Sequence, residues 1–169
     1  LTVIGIGYVG LPLAISLAKF FYVNAYDMDK NRIIGLKKNY DITNEFSSNE
    51  IKKTQSINFT SNEKDLINTN IFFITVPTPI TKNNKPDLKN LIQATKLVSR
   101  NLKKKSIIVY ESTVFPGCTE EVCLPIIEKI SKLKLNKDFY LGYSPERIDP
   151  GKSKYKLKNT VKVIGASNK

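Results

Sequence analysis

The chain opens Leu1-Thr2-Val3-Ile4-Gly5-Ile6-Gly7-Tyr8-Val9-Gly10-Leu11-Pro12-Leu13-Ala14, and this stretch decides the fold. Leu1 to Ile6 is an apolar run that reads as a buried strand. The glycines that follow form the pattern Gly5-x-Gly7-x-x-Gly10. Beyond them Leu11, Ala14, Ile15 and Ala18 recur at the i, i+3, i+4, i+7 spacing of one helix face. Strand, glycine turn and helix in immediate succession suit a diphosphate. Gly5 permits the tight turn, Gly7 lets the backbone approach a phosphate, and Gly10 lets the helix pack close to the strand. The helix start then offers free N–H groups and the positive end of its dipole. Tyr8 and Val9 lie inside this loop. Tyr8 is as well suited to packing over it as to touching a ligand.

The next elements strengthen the pattern. Val23 to Tyr26 reads as a second short strand, and it ends at Asp27, 17 residues after Gly10 and 22 after Gly5. A dinucleotide fold places an acid about 20 residues beyond its glycines, where it accepts hydrogen bonds from ribose hydroxyls. Such a carboxylate also repels a 2′-phosphate, so Asp27 favours NAD over NADP. Arg32 complicates that preference, because a nearby Arg can accommodate the phosphate.

Farther out, apolar runs continue to alternate with helical patterns. Asp29 can cap a helix carrying Ile33, Ile34 and Leu36. Residues 39–56 are polar, with one short helix after Ser48. Ile57 to Phe59 is a weak strand, and Thr60-Ser61-Asn62-Glu63 fits a capping box that predicts a short helix. Ile71 to Val76 is a strong strand stopped by Pro77 and Pro79. Asp87 predicts the cap of a helix with Leu88, Leu91, Ile92 and Thr95 on one side. Ile107 to Tyr110 is a further strand. Thr119 to Leu133 is helical by pattern, although Pro125 predicts a late start or a kink. Phe139 to Tyr143 and Thr160 to Ile164 complete the strands. Strands apolar on both faces and alternating with helices imply an α/β fold, a doubly wound, mainly parallel sheet with helices on both faces. Ligands of such sheets bind at the carboxyl ends of the strands. That rule selects Gly5 to Gly10, Asp27 to Arg32, Val76 to Pro79, Glu111 to Gly117 and Ser144 to Gly151.

Composition narrows the chemistry. With 169 residues, one domain is expected. Apolar residues make up 41% and charged residues 25%, an ordinary globular balance. No apolar run approaches the roughly 20 residues of a membrane span, and the start lacks the basic region of a secretory signal. A cytoplasmic location without membrane attachment follows as the expectation. The absence of histidine excludes His-ligated zinc and His-based catalysis. Cys118 and Cys123 are too few for a disulfide scaffold, and Cys123 falls at an apolar helix position. The net charge of +12 comes almost wholly from lysine, since Arg32, Arg100 and Arg147 are the only arginines. Nucleic-acid readers favour the planar fork of Arg. The charge therefore reads as a solvated surface, and no nucleic-acid partner is expected. The denser stretch Lys152 to Lys158 carries no chemistry of its own.

Four blocks resemble one family in order. Gly7-Tyr8-Val9-Gly10-Leu11-Pro12-Leu13-Ala14 is similar to the opening of the UDP-glucose/GDP-mannose dehydrogenase family. Thr75-Val76-Pro77-Thr78-Pro79-Ile80, Tyr110-Glu111-Ser112-Thr113-Val114-Phe115-Pro116-Gly117 and Tyr143-Ser144-Pro145-Glu146-Arg147-Ile148-Asp149-Pro150-Gly151 resemble its later blocks. The last two look most like the branch that oxidises UDP-N-acetylhexosamines for bacterial surface polysaccharides.

The resemblance implies a Rossmann domain, with NAD as cofactor and a UDP-sugar as substrate. Such enzymes oxidise the C6 hydroxymethyl of a nucleotide sugar to a carboxylate with two NAD in succession. A cysteine in a later domain holds the intermediate as a thiohemiacetal and then a thioester. By the same resemblance, Gly5, Gly7, Tyr8, Val9, Gly10, Asp27 and Arg32 fall at NAD-binding positions. Val76 and Thr78 fall on a loop lining the cofactor, and Ser112 and Thr113 beside the nicotinamide. Thr113 also matches a residue that helps place the catalytic water, and Glu146 a carboxylate linked to proton transfer and thioester hydrolysis. The family's cysteine segment has no counterpart in these residues, and Pro150 stands where UDP-glucose enzymes carry a second Glu. Residues 1–169 are therefore read as the amino-terminal NAD-binding domain of a longer, homo-oligomeric enzyme, expected to bind NAD without turnover. UDP-glucose or UDP-N-acetylmannosamine remains an alternative substrate, and a non-catalytic dinucleotide-binding module is an alternative of another class.

Overall fold

The computed structural model describes residues 1–146 and 161–168. Arg147 to Gly151, the stretch Lys152 to Lys158 and Thr160 lie outside the described residues. Six parallel strands follow the expected alternation: β1 (Thr2–Ile4), β2 (Val23–Tyr26), β3 (Ile57–Thr60), β4 (Ile71–Ile74), β5 (Ser106–Tyr110) and β6 (Phe139–Tyr143). An antiparallel edge strand, β7 (Gly165–Ala166), completes the order β3-β2-β1-β4-β5-β6-β7. The helices are α1 (Gly10–Leu17), α2 (Lys30–Lys37), α3 (Ser48–Lys53), α4 (Lys89–Asn101) and α5 (Leu124–Ser131).

The pleat distributes β1 between two cores. Val3 joins Leu11, Ala14, Ile15, Ile33, Leu36 and Ile51, contributed by α1, α2 and α3. Ile4 points to the opposite layer, with Phe72, Ile74, Leu91, Val98, Ile108 and Ile127. Successive side chains of a strand point to opposite faces, so a continuous apolar run serves both layers. The two layers make the sheet doubly wound, as the alternation predicted. The sheet reverses direction of growth between β1 and β4, and a ligand crevice belongs at that point.

The departures from expectation are local. Thr60-Ser61-Asn62-Glu63 does not form a capping box. Thr60 ends β3, and the Asn62 side chain instead accepts from the Lys64 amide (3.2 Å) at the start of a 3₁₀ turn, Glu63–Leu66. The pattern spanned a strand end, so the ladder had already claimed its first residue. Asp87 accepts from the Lys89 amide (3.0 Å), but Leu88 occupies the cap position of α4. Ile34 is exposed rather than facing the core. Thr119–Cys123 is a π-helical turn leading into α5, whose first turn contains Pro125. Proline has no N–H for the normal i to i−4 bond, and a widened turn accommodates that loss. The last strand was expected at Thr160 to Ile164. It lies instead at Gly165–Ala166, where Tyr143 and Gly142 pair with it, and Val161, Val163 and Ile164 are exposed. Their apolar alternation suggested a strand, but no second sheet face receives them among the described residues.

Close approach at the first turn is severe. A Cβ on Gly10 would lie 1.9 Å from the Gly5 carbonyl oxygen and 2.5 Å from Thr75 Oγ1. Gly5 itself has φ +92°, a conformation that favours glycine. Gly10→Ala is expected to cost about 3 kcal/mol or more, since backbone rather than a flexible side chain blocks the added atom. Urea denaturation monitored by circular dichroism measures that loss.

Candidate functional site

A cleft of about 640 Å³ opens at the carboxyl ends of β1, β2 and β4, within the range of small-molecule sites. Gly5, Ile6, Gly7 and Tyr8 line it from the glycine loop. Asp27, Met28 and Asp29 line it after β2, Arg32 from α2, and Val76 and Pro77 after β4. Asn90, Gln93 and Leu97 of α4 form the facing wall.

The glycine loop meets the requirements of a diphosphate. A Cβ on Gly7 would meet nothing within 4 Å, so this backbone is open where Gly5 and Gly10 are crowded. No side chain caps the start of α1, where Val9 occupies the cap position. Uncapped N–H groups at a helix start carry a partial positive charge and suit an anion. The Thr75 hydroxyl lies 2.7 Å from the Gly5 carbonyl and 2.9 Å from that of Ile4. It thereby anchors the turn to the end of β4.

Asp27 stands at the other end of the cleft. Its Oδ2 accepts from the Ile6 amide (2.7 Å) and its Oδ1 from the Asp29 amide (2.9 Å). A carboxylate has about four lone-pair directions, so capacity remains for the hydroxyls of a ribose. Arg32 reaches the same peptide from the other side, donating from Nε to the Ile6 carbonyl (2.8 Å). Its Nη1 is 2.7 Å from Asp41 Oδ1, in a pair whose side chains are 7% and 0% exposed. Asp41 was missed in the sequence, because it lies in the polar stretch after α2 with no recognisable spacing. It is also an anchor for that stretch, accepting from the Thr43 hydroxyl (2.6 Å) and from the amides of Thr43, Glu45 and Phe46. Burial pushes the Asp41 carboxyl up, but donation from Thr43, Arg32 and Phe46 outweighs it and holds the group below its ordinary value.

The later strand ends form a second group outside the cleft lining. Ser112 is buried, and its hydroxyl donates to the Val76 carbonyl (2.7 Å). Thr78 donates its hydroxyl to the Thr113 carbonyl, while the Thr113 side chain is exposed. These bonds lock the β4 and β5 loops together. Glu146, after β6, faces Lys162 across 3.8 Å, and the same ammonium lies 2.5 Å from Glu111. Burial raises the Glu111 carboxyl above its ordinary value, against the pull of Lys162. Glu111 lies in the stretch Tyr110 to Gly117, whereas Lys162 carries no sequence signal. Cys118 and Cys123 are both buried, and burial together with Cys123 pushes the Cys118 thiol up to about 11. Burial raises Cys123 as well. Neither is a thiolate near neutral pH.

Residues 1–169 match the model of the UDP-glucose/GDP-mannose dehydrogenase family, NAD binding domain. The chain belongs to this family. It is 45% identical over 165 residues to a UDP-N-acetyl-D-glucosamine 6-dehydrogenase of Pseudomonas aeruginosa, covering 98% of this chain and 39% of that protein. It is 47% identical over 164 residues to Protein CapL of Staphylococcus aureus, covering 97% and 38%. The structure of a UDP-D-ManNAc dehydrogenase from Pyrococcus horikoshii superposes with a TM-score of 0.86 at 30% identity, covering 98% of this chain and 41% of that one. The chain thus spans about two-fifths of the length of these family members. No helix among the described residues is long and apolar enough to cross a membrane.

Because Asp41 titrates lower in the folded chain than its ordinary 3.8, its contribution to stability is present above that value and is lost as pH falls through the lowered one. Asp41→Asn should cost about 3 kcal/mol at neutral pH, as expected when one partner of a buried ion pair is removed. The difference from the unmodified chain should narrow below about pH 4. Urea denaturation at pH 7 and pH 3 tests both statements.

Proposed function

We propose that these 169 residues are the NAD-binding portion of a nucleotide-sugar 6-dehydrogenase that oxidises the C6 hydroxyl of a UDP-N-acetylhexosamine to the uronic acid for surface polysaccharide. The observation that carries the reading is the single cleft joining an uncapped helix start, the open Gly7 backbone and the Asp27 carboxylate. The amides at the start of α1 hold the diphosphate, with Gly5, Gly7, Tyr8, Val9 and Gly10 shaping the approach. Asp27 accepts from the adenosine ribose, beside Arg32. Val76 lines the cofactor, Thr78 braces the neighbouring β5 loop through the Thr113 carbonyl, and Ser112 fixes the loop that presents Thr113 toward the nicotinamide.

Bound NAD supplies a hydride acceptor. The chain's own part is to bind and orient it, and to keep Glu146 at the sheet edge for proton transfer, with Lys162 alongside. Thr113 positions water there. Both thiols of this chain are buried in its core, so the nucleophile and most of the sugar site come from sequence outside these residues. The UDP-sugar partner is engaged with that part. The same reading takes the complete enzyme as a cytoplasmic homo-oligomer without a nucleic-acid partner. Similarity to UDP-N-acetyl-D-glucosamine 6-dehydrogenases at 45% identity favours the N-acetylglucosamine substrate over UDP-glucose or UDP-N-acetylmannosamine.

Isothermal titration calorimetry with NAD tests the cleft. Asp27→Ala should weaken binding about tenfold or more, the worth of hydrogen bonds to a charged acceptor. Gly7→Ala should weaken it similarly while unfolding within about 0.5 kcal/mol of the original chain, because its Cβ meets no protein atom. Unchanged affinity in both variants would contradict the assigned site.

A further inference from the structure

Arg32 poses a choice that its position alone leaves open. A guanidinium beside a ribose acid either receives a 2′-phosphate or is kept from it. The geometry points to Asp41 as the residue that decides: we infer that Asp41 is a specificity-determining residue, holding Arg32 as a neutralised strut so that the cleft prefers a dinucleotide with a bare 2′-hydroxyl. This inference rests on the reading of the cleft as an NAD site.

Three observations support it. First, Arg32 is committed at two points, with Nε on the Ile6 carbonyl (2.8 Å) and Nη1 on Asp41 (2.7 Å). A planar fork fixed at two nitrogens cannot swing to meet a phosphate bidentately. Second, Asp41 cannot yield, because it is buried and its oxygens also accept from Thr43, Glu45 and Phe46. Third, the charges sum to an anion. Arg32 and Asp41 cancel, and the other charged residues of the cleft, Asp27, Asp29 and Glu63 against Lys96 and Arg100, leave one negative charge, with Asp27 nearest the Ile6 peptide, whose amide it accepts at 2.7 Å. A 2′-phosphate would therefore meet net repulsion. One nitrogen, Arg32 Nη2, is buried without a hydrogen-bond partner among the described residues, and the side chain lines the cleft. A single such donor suits a neutral hydroxyl and cannot by itself balance a dianion.

The test is the ratio of NADP to NAD dissociation constants, measured by calorimetry on the chain and three variants. Asp41→Asn adds one positive charge to the site, so the preference for NAD should fall about tenfold. Arg32→Met with Asp41→Asn restores the original net charge, and the ratio should return to within about threefold of the original. Arg32→Met alone leaves Asp41 its bonds from Thr43, Glu45 and Phe46, and circular dichroism checks that the variant is folded. It should weaken both dinucleotides and keep or increase the preference for NAD by less than about threefold. If Asp41→Asn does not fold, the Arg32→Met result decides. A loss confined to NADP would mean that Arg32 already serves a phosphate, and it overturns the inference. So does an unchanged ratio in folded Asp41→Asn. A chain that binds neither dinucleotide overturns the NAD reading together with this one. A chain that prefers NAD and keeps that preference in Asp41→Asn overturns the role of Asp41 alone.

Discussion

The contact between the first residue of α1 and the carbonyl of Gly5 governs this molecule. At 1.9 Å from that oxygen, the place where a side chain would begin on Gly10 is filled by backbone. Only because the helix can approach so closely does its start lie directly over the end of β1. The Thr75 hydroxyl, bound to the carbonyls of Ile4 and Gly5, ties the same turn to β4. A helix start, two strand ends and a glycine loop are thereby brought to one crevice. That crevice lies where a doubly wound sheet reverses its order, so the same packing that closes the core opens the ligand site.

Around this turn the backbone of Ile6 is a meeting point for charge. Its amide donates to Asp27 and its carbonyl accepts from Arg32, while Arg32 continues to Asp41. A buried pair of this kind contributes little net stability against the cost of desolvation. It does fix where positive charge is available and where it is cancelled. The polar stretch between α2 and β3, which has little apolar content to hold it, is organised by the same carboxylate of Asp41. The proposed cofactor discrimination and the local order therefore share one residue.

The other strand ends are built differently. Ser112 and Thr78 direct their hydroxyls to backbone carbonyls of neighbouring loops, so they join β4 to β5 rather than present free groups. Glu111, Lys162 and Glu146 gather beyond β5 and β6, and the ammonium lies between two carboxylates. The ammonium eases ionisation of Glu111, which burial first and the neighbouring Glu146 second oppose. This edge is also the side nearest the short antiparallel strand β7.

By itself the sequence determined the α/β class, the alternation of elements, and the glycine loop with Asp27 at its expected separation. These depend on short-range periodicity and on residue types with one dominant use, and so they survive without coordinates. Its weak points were places where two local preferences competed. Thr60 could begin a cap or end a strand, and the ladder with β2 took it. The run near Val161 had strand-like alternation, yet pairing with Gly142 and Tyr143 fell to Gly165 and Ala166. Pro125 signalled trouble in its helix, but only the packed structure showed the π turn that resolves it. Tertiary structure alone decided the partnership of Arg32 with Asp41 and of Lys162 with Glu111 and Glu146. These pairs join separate elements, and nothing in their spacing along the chain encodes a distance in space.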